Sequence, residues 1–67
     1  MAATKEDINR WINEGKEMGA THLISVCDTY AWEYHPVYVM PDQDLTEQIA
    51  KYNGLNMQRI DEVINIS

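Results

Sequence analysis

His22-Leu-Ile-Ser-Val-Cys-Asp28 is the most apolar and most β-branched run in the chain, and its reading decides the fold. Ile24 and Val26 fall on one parity, Leu23 and Cys27 on the other. An extended chain here therefore carries apolar side chains on both of its faces. A half-solvated strand would alternate apolar with polar, so this pattern predicts a central strand over about 21–28.

Upstream of it, Ile8, Trp11, Ile12, Gly15 and Gly19 recur at helical spacing, while Glu6, Asp7, Arg10, Asn13, Glu14 and Glu17 face outward. Thr4 and Asp7 make a variant capping box and Gly19 is a natural stop, which predicts a helix over about 5–18. Glu6 precedes Arg10 by four residues, the favourable order for an intrahelical pair. Gly15 on the apolar side implies close approach of the helix to the sheet.

Downstream, residues 29–34 read as a turn and about 35–40 as a second strand. Val37 and Val39 lie on one side of that strand, Tyr38 and Met40 on the other. Pro36 donates no ladder hydrogen bond, so the strand belongs at an edge. After Pro41, Asp44 caps a second helix, with Glu47 three residues on, Leu45, Ile49 and Tyr52 as its buried stripe and Asn53-Gly54 as its end. A last strand over about 59–66 puts Ile60, Ile64 and Ile66 on one face and Asp61, Val63 and Asn65 on the other.

The order is α-β-β-α-β in a single domain spanning 1–67. A hairpin followed by a helical crossover gives an α+β fold, a three-stranded antiparallel sheet in the order 2-1-3. Two layers are expected, with both helices on one face. The second face would then expose part of the set Leu23, Cys27, Tyr38, Met40 and Val63, or the opposite parity. An apolar patch of that size marks a partner or a second copy of the chain.

A chain of 67 residues lies near the lower limit for folding without staples, and its 45% apolar content with two Trp and four Tyr suffices for one core. One cysteine cannot form an internal disulfide, which points to a reducing compartment and a cytoplasmic location. No apolar run reaches about 18 residues and no basic-then-apolar amino terminus is present, so neither a membrane span nor a signal peptide is expected.

The net charge of −6 is unevenly placed. Residues 1–16 balance Lys5, Arg10 and Lys16 against Glu6, Asp7 and Glu14, and residues 51–67 balance Lys51 and Arg59 against Asp61 and Glu62. The excess is Glu17, Asp28, Glu33, Asp42, Asp44 and Glu47, with no Lys or Arg among residues 17–50. If the fold gathers these carboxylates, the surface is polarised.

Catalytic and metal chemistry find little support. Cys27, Asp28, His22 and His35 match no zinc spacing, and a strand places Cys27 and His22 on opposite faces. A buried strand cysteine behaves as a small apolar residue. The three glycines stand singly and form no phosphate loop, so neither an enzyme nor a cofactor is expected. Tyr30, Trp32 and Tyr34 alternate with Ala31, Glu33 and His35. They either cap one end of the core or form an interface anchor set, a use for which aromatic side chains are enriched. Asp42, Asp44 and Glu47 complement a helix start while remaining exposed charges. Stacking on single-stranded nucleic acid is disfavoured, because it needs a basic groove and these surroundings are acidic.

The segments Gly19-Ala-Thr-His-Leu-Ile-Ser-Val-Cys-Asp-Thr-Tyr30, Tyr34-His-Pro-Val-Tyr-Val39 and Asn56-Met-Gln-Arg-Ile-Asp-Glu-Val63 resemble a family of short uncharacterised proteins associated with bacteriophage and mobile-element genomes. That family tends to carry an acidic residue before the Pro-Val-Tyr-Val run, where this chain has Tyr34-His35. The resemblance implies a small accessory protein that acts by binding, against a host defence or nucleic-acid-handling protein.

The expectation is a non-enzymatic protein-binding module, an inhibitor or adaptor whose acidic, aromatic surface faces a basic site on another protein. Asp28, Tyr30, Trp32, Glu33, Tyr34, Tyr38, Asp42 and Asp44 are the candidate contact residues. If the basic site normally holds nucleic acid, the surface would act as its mimic. Two alternatives stand beside this reading: a homodimer joined through the uncovered sheet face, and a small-ligand or nucleotide-signal binder formed across such a dimer.

Overall fold

A computed structural model describes residues 4–54 and 57–66; Asn56 of the closing motif lies outside them. The chain runs α1 (Lys5–Met18), β1 (His22–Asp28), β2 (Glu33–Val39), α2 (Leu45–Tyr52) and β3 (Gln58–Asn65). The three strands form one antiparallel sheet in the order β2-β1-β3, an α+β fold with the expected element order. Pro36 sits in an edge strand, opposite Ser25, as a residue without a backbone donor must.

Local chemistry sets the helix ends. The Asp7 N–H donates to Thr4 Oγ1 (3.1 Å), which caps α1. Asp7 pairs with Arg10 at 3.2 Å, taking the place expected for Glu6. At the other end Gly19 takes φ +83°, and the amides of Gly19 and Ala20 donate to the carbonyls of Lys16 and Gly15. This is the left-handed close that glycine makes cheaply. The Asp44 carboxylate caps α2 through the Thr46 N–H at 2.9 Å.

The two helices lie on opposite faces of the sheet, which corrects the expected two-layer arrangement. Ile8, Trp11 and Ile12 of α1 pack with Leu23, Tyr34, Tyr38, Met40, Ile64 and Ile66. Leu45, Ile49 and Tyr52 of α2 pack with Ile24, Val26, Val37, Val39 and Ile60. In register, Leu23 faces Tyr38 and Ile64, while Ile24 faces Val37 and Val63. Since neighbouring strand residues point to opposite faces, these are two cores. The Cα extents of 30 × 27 × 13 Å agree. Three strands about 4.8 Å apart give the short dimension, and a helix about 10 Å off each face gives a long one.

The reason lies in β1 itself. Leu23, Ile24, Ser25, Val26 and Cys27 are all buried, and one layer of helix cannot cover both parities. The face expected to be open is therefore closed by α1: Leu23 and Cys27 are buried, Tyr38 and Met40 half-buried, and of that set only Val63, on the α2 side, is exposed. Gly15 shows how closely α1 lies, since a Cβ there would meet Ile66 Cδ1 at 2.5 Å and the Tyr38 ring at 3.1 Å.

The last strand also departs from its simple alternation. Ser25 pairs with Glu62 but Val26 with Ile60, so a bulge at Asp61 shifts the register. A one-residue shift sends a strand's side chains to the other face. Ile64 and Ile66 therefore join the α1 core while Ile60 joins the α2 core. Asp61 now lies where its Oδ2 accepts a hydrogen bond from buried Ser25 Oγ at 3.5 Å. No helix among the described residues is long and apolar enough to cross a membrane.

Candidate functional site

Asp28 closes β1 and shapes the turn that follows. Its Oδ1 accepts from the Tyr30 N–H (2.9 Å) and the Ala31 N–H (3.4 Å), an Asx-type bend. The turn is Thr29–Trp32, shorter than expected, because Glu33 and Tyr34 already belong to β2. Trp32 ends it with φ +55°. Thr29 donates its N–H (2.7 Å) and its Oγ1 hydroxyl (2.8 Å) to the Met57 carbonyl. The hairpin turn is thereby fastened to the connection between α2 and β3. Met57 itself takes φ +59°.

These two connections form one end of the sheet, and large apolar side chains stand out from it. Tyr30 is 80% exposed, Trp32 57% and Met57 61%. Asp28 and Glu33 are cross-strand partners at the same end. Directly opposite residues point to one face with Cβ atoms about 4.5–5.5 Å apart, a spacing at which like charges repel. Among the described residues neither carboxylate has an ion pair. The last turn of α2, which returns toward this end, carries Lys51 with its ammonium 5.6 Å from the Tyr52 ring centroid.

Of the eight residues named from sequence, the structure brings together Asp28, Tyr30, Trp32 and Glu33. Tyr34 is half-buried against the α1 core. Its hydroxyl is held protonated above its usual range, first by a hydrogen bond to Cys27 and then by burial. Tyr38 is also half-buried on that side, and its hydroxyl donates to Glu14 Oε2 at 3.1 Å. Burial and then that bond raise its pKa. The three alternating aromatics differ in burial: Tyr34 packs against the core, while Tyr30 and Trp32 lie in the turn, where strand alternation does not apply, and stay exposed.

Asp42 and Asp44 follow β2 at the opposite end of the sheet. The six strand residues after Glu33, 34–39, separate them from it, about 20 Å at roughly 3.3 Å per residue. Asp44 is occupied as the α2 cap. The acidic side chains of the chain's middle thus divide between two ends and form no single patch.

Met57 was not legible as a site residue. It lies in the closing segment 56–63, but nothing in that segment singles it out, and only the pairing of Asp28 with Gln58 and the two bonds from Thr29 bring it to the hairpin end. The other reactive side chains do not converge. Cys27 is buried on the α1 side, whereas His22 and His35 are half-buried on the α2 side. The His22 Nδ1 lies 2.9 Å from Thr21 Oγ1. No group of three His, Cys, Asp or Glu side chains among the described residues is placed to hold a metal ion.

Comparison with protein-family models, characterised proteins and solved structures yields no match for the chain. The class defined by the coordinates is a small α+β domain with a covered three-stranded sheet and an apolar, acid-flanked end.

Proposed function

We propose that the protein is a non-enzymatic binding module, an inhibitor or adaptor of the kind found among small accessory proteins, and that it engages a basic site on another protein through the end of its β1–β2 hairpin. The observation that carries this reading is the exposure of Tyr30 and Trp32 beside the carboxylates of Asp28 and Glu33, which have no ion pair among the described residues. A 67-residue domain has few large rings to place, and burying them is its main source of stability. Leaving two outside is economical only where a partner covers them.

Negative charge around the rings selects a positive counterpart and speeds encounter. If that counterpart normally grips nucleic acid, the hairpin end occupies the place of a phosphate-bearing strand. With both sheet faces covered, self-association through an open face loses its structural basis.

The test is capture from cells of the native host by the tagged chain, compared with Trp32→Ala, Glu33→Lys and the distant Asp42→Lys. Loss of the same captured protein with the first two and its retention with the third supports the hairpin end. Equal capture by all three contradicts it.

A further inference from the structure

Trp32 and Met57 share three properties that are independent of one another. Each is a non-glycine residue in the left-handed backbone region, at φ +55° and +59°. Each leaves more than half of a large apolar side chain exposed. Both lie at one end of the sheet, joined through the two hydrogen bonds from Thr29 to the Met57 carbonyl. They are the only non-glycine residues with positive φ among those described. Glycine and asparagine fill such positions most easily, and a bulky residue there calls for an explanation. Strain at exposed positions is retained where the side chain serves binding.

We infer that Met57 and Trp32, together with Tyr30 of the same hairpin turn, form one two-segment contact surface, and that its occupant is a protein segment in which arginine alternates with apolar side chains. The inference rests on the hairpin reading above and adds both the second segment and the chemistry of the ligand.

The apolar half of that chemistry follows from the three side chains. A thioether adapts its shape to a partner's surface, while the two rings offer rigid faces. The cationic half follows from Asp28 and Glu33. Their register places two carboxylates directly opposite each other with no positive side chain paired to them among the described residues, and Gln58 follows on the neighbouring strand. A guanidinium inserted there relieves the repulsion, bonds carboxylate oxygens as a planar fork and stacks on an adjacent ring, which an ammonium does less well. Asp28 Oδ1 is engaged by the turn, leaving its second oxygen and Glu33 for the ligand.

The probe is a fluorescein-labelled octapeptide alternating arginine and leucine, titrated into the full chain and followed by anisotropy. Lysine–leucine and glutamate–leucine peptides serve as controls. The variants are Trp32→Gly, Met57→Gly, Glu33→Gln and Asp28→Asn, the last keeping the carbonyl oxygen that the turn requires.

The expected result is saturable binding of the arginine peptide, weaker binding of the lysine peptide and none of the glutamate peptide. Trp32→Gly and Met57→Gly each weaken it by about tenfold, as loss of an anchor does, and the two carboxylate variants by about threefold. The urea midpoints of both glycine variants stay at or above that of the parent, because the backbone strain is relieved.

Loss with Trp32→Gly but not with Met57→Gly overturns the two-segment surface and leaves the hairpin reading intact. Midpoints lowered in both glycine variants assign the residues to the fold and overturn the inference. Equal binding of arginine and glutamate peptides, or no binding at all by the parent, overturns the ligand assignment. Concentration-dependent dimerisation abolished by Trp32→Gly makes the occupant a second copy and overturns it as well.

Discussion

The two ends of the sheet are built by opposite rules. At the end where α1 meets β1, the positive φ is given to Gly19, and the amides of Gly19, Ala20, Thr21 and Ile66 all find backbone carbonyls. Ala20, Val39 and Ile66 are buried there. At the hairpin end Gly54 takes one positive φ (+82°), but two more fall on Trp32 and Met57, and both of those side chains are exposed together with Tyr30. One end is arranged as stability alone would arrange it. The other keeps strain and exposed apolar surface side by side, with two carboxylates facing each other. This difference is the ground for proposing the hairpin end as the binding surface, because a chain this small has little stability to spare.

The largest expected effects come from the two cores that support both ends. Leu23→Ala and Ile24→Ala each remove a fully buried side chain, one on the α1 side and one on the α2 side. Each costs about 2–5 kcal/mol by urea unfolding, since both leave cavities. A sheet covered on one face alone would show a large cost for one substitution and a small one for the other.

The next effects set the two ends directly against each other. Gly19→Ala forces a Cβ into the left-handed region and lowers stability by about 1 kcal/mol. Trp32→Gly has the opposite sign or no cost, a gain of up to about 1 kcal/mol set against the packing of the ring's buried part. Equal losses from the two substitutions would erase the contrast.

Much of this architecture was written in local sequence. Thr4, Asp44, Pro36 and Gly19 announce their caps, edge and stop through chemistry that acts over a few residues. The two-sided apolarity of His22–Asp28 announced the central strand, and it also held the clue that both faces are covered. Which face α1 takes was not legible, because the short link from Gly19 to Thr21 permits either and only packing decides. The Asp61 bulge was likewise hidden: Ile60, Ile64 and Ile66 read as one stripe until pairing with β1 splits them. For the candidate site, the sequence left Tyr30, Trp32 and Tyr34 open between capping the core and standing outside it, and the structure leaves Tyr30 and Trp32 exposed. The half-burial of Tyr34 and Tyr38, the distance of Asp42 and Asp44, and the arrival of Met57 all depend on long-range register, which no local pattern encodes.

The central claim is that the hairpin end, and not a sheet face or the α2 start, is where a partner binds. Its most direct test is an NMR titration of the isotope-labelled chain with the arginine–leucine octapeptide. The two tryptophans serve as internal opposites, since Trp11 is 7% exposed and Trp32 57%. The account predicts that the Trp32 indole signal and the amides of residues 28–33, 57 and 58 shift and saturate together, while the Trp11 indole and the amides of 42–47 stay in place. A still Trp32 signal during saturation, or shifts centred on Asp42–Glu47, would contradict it.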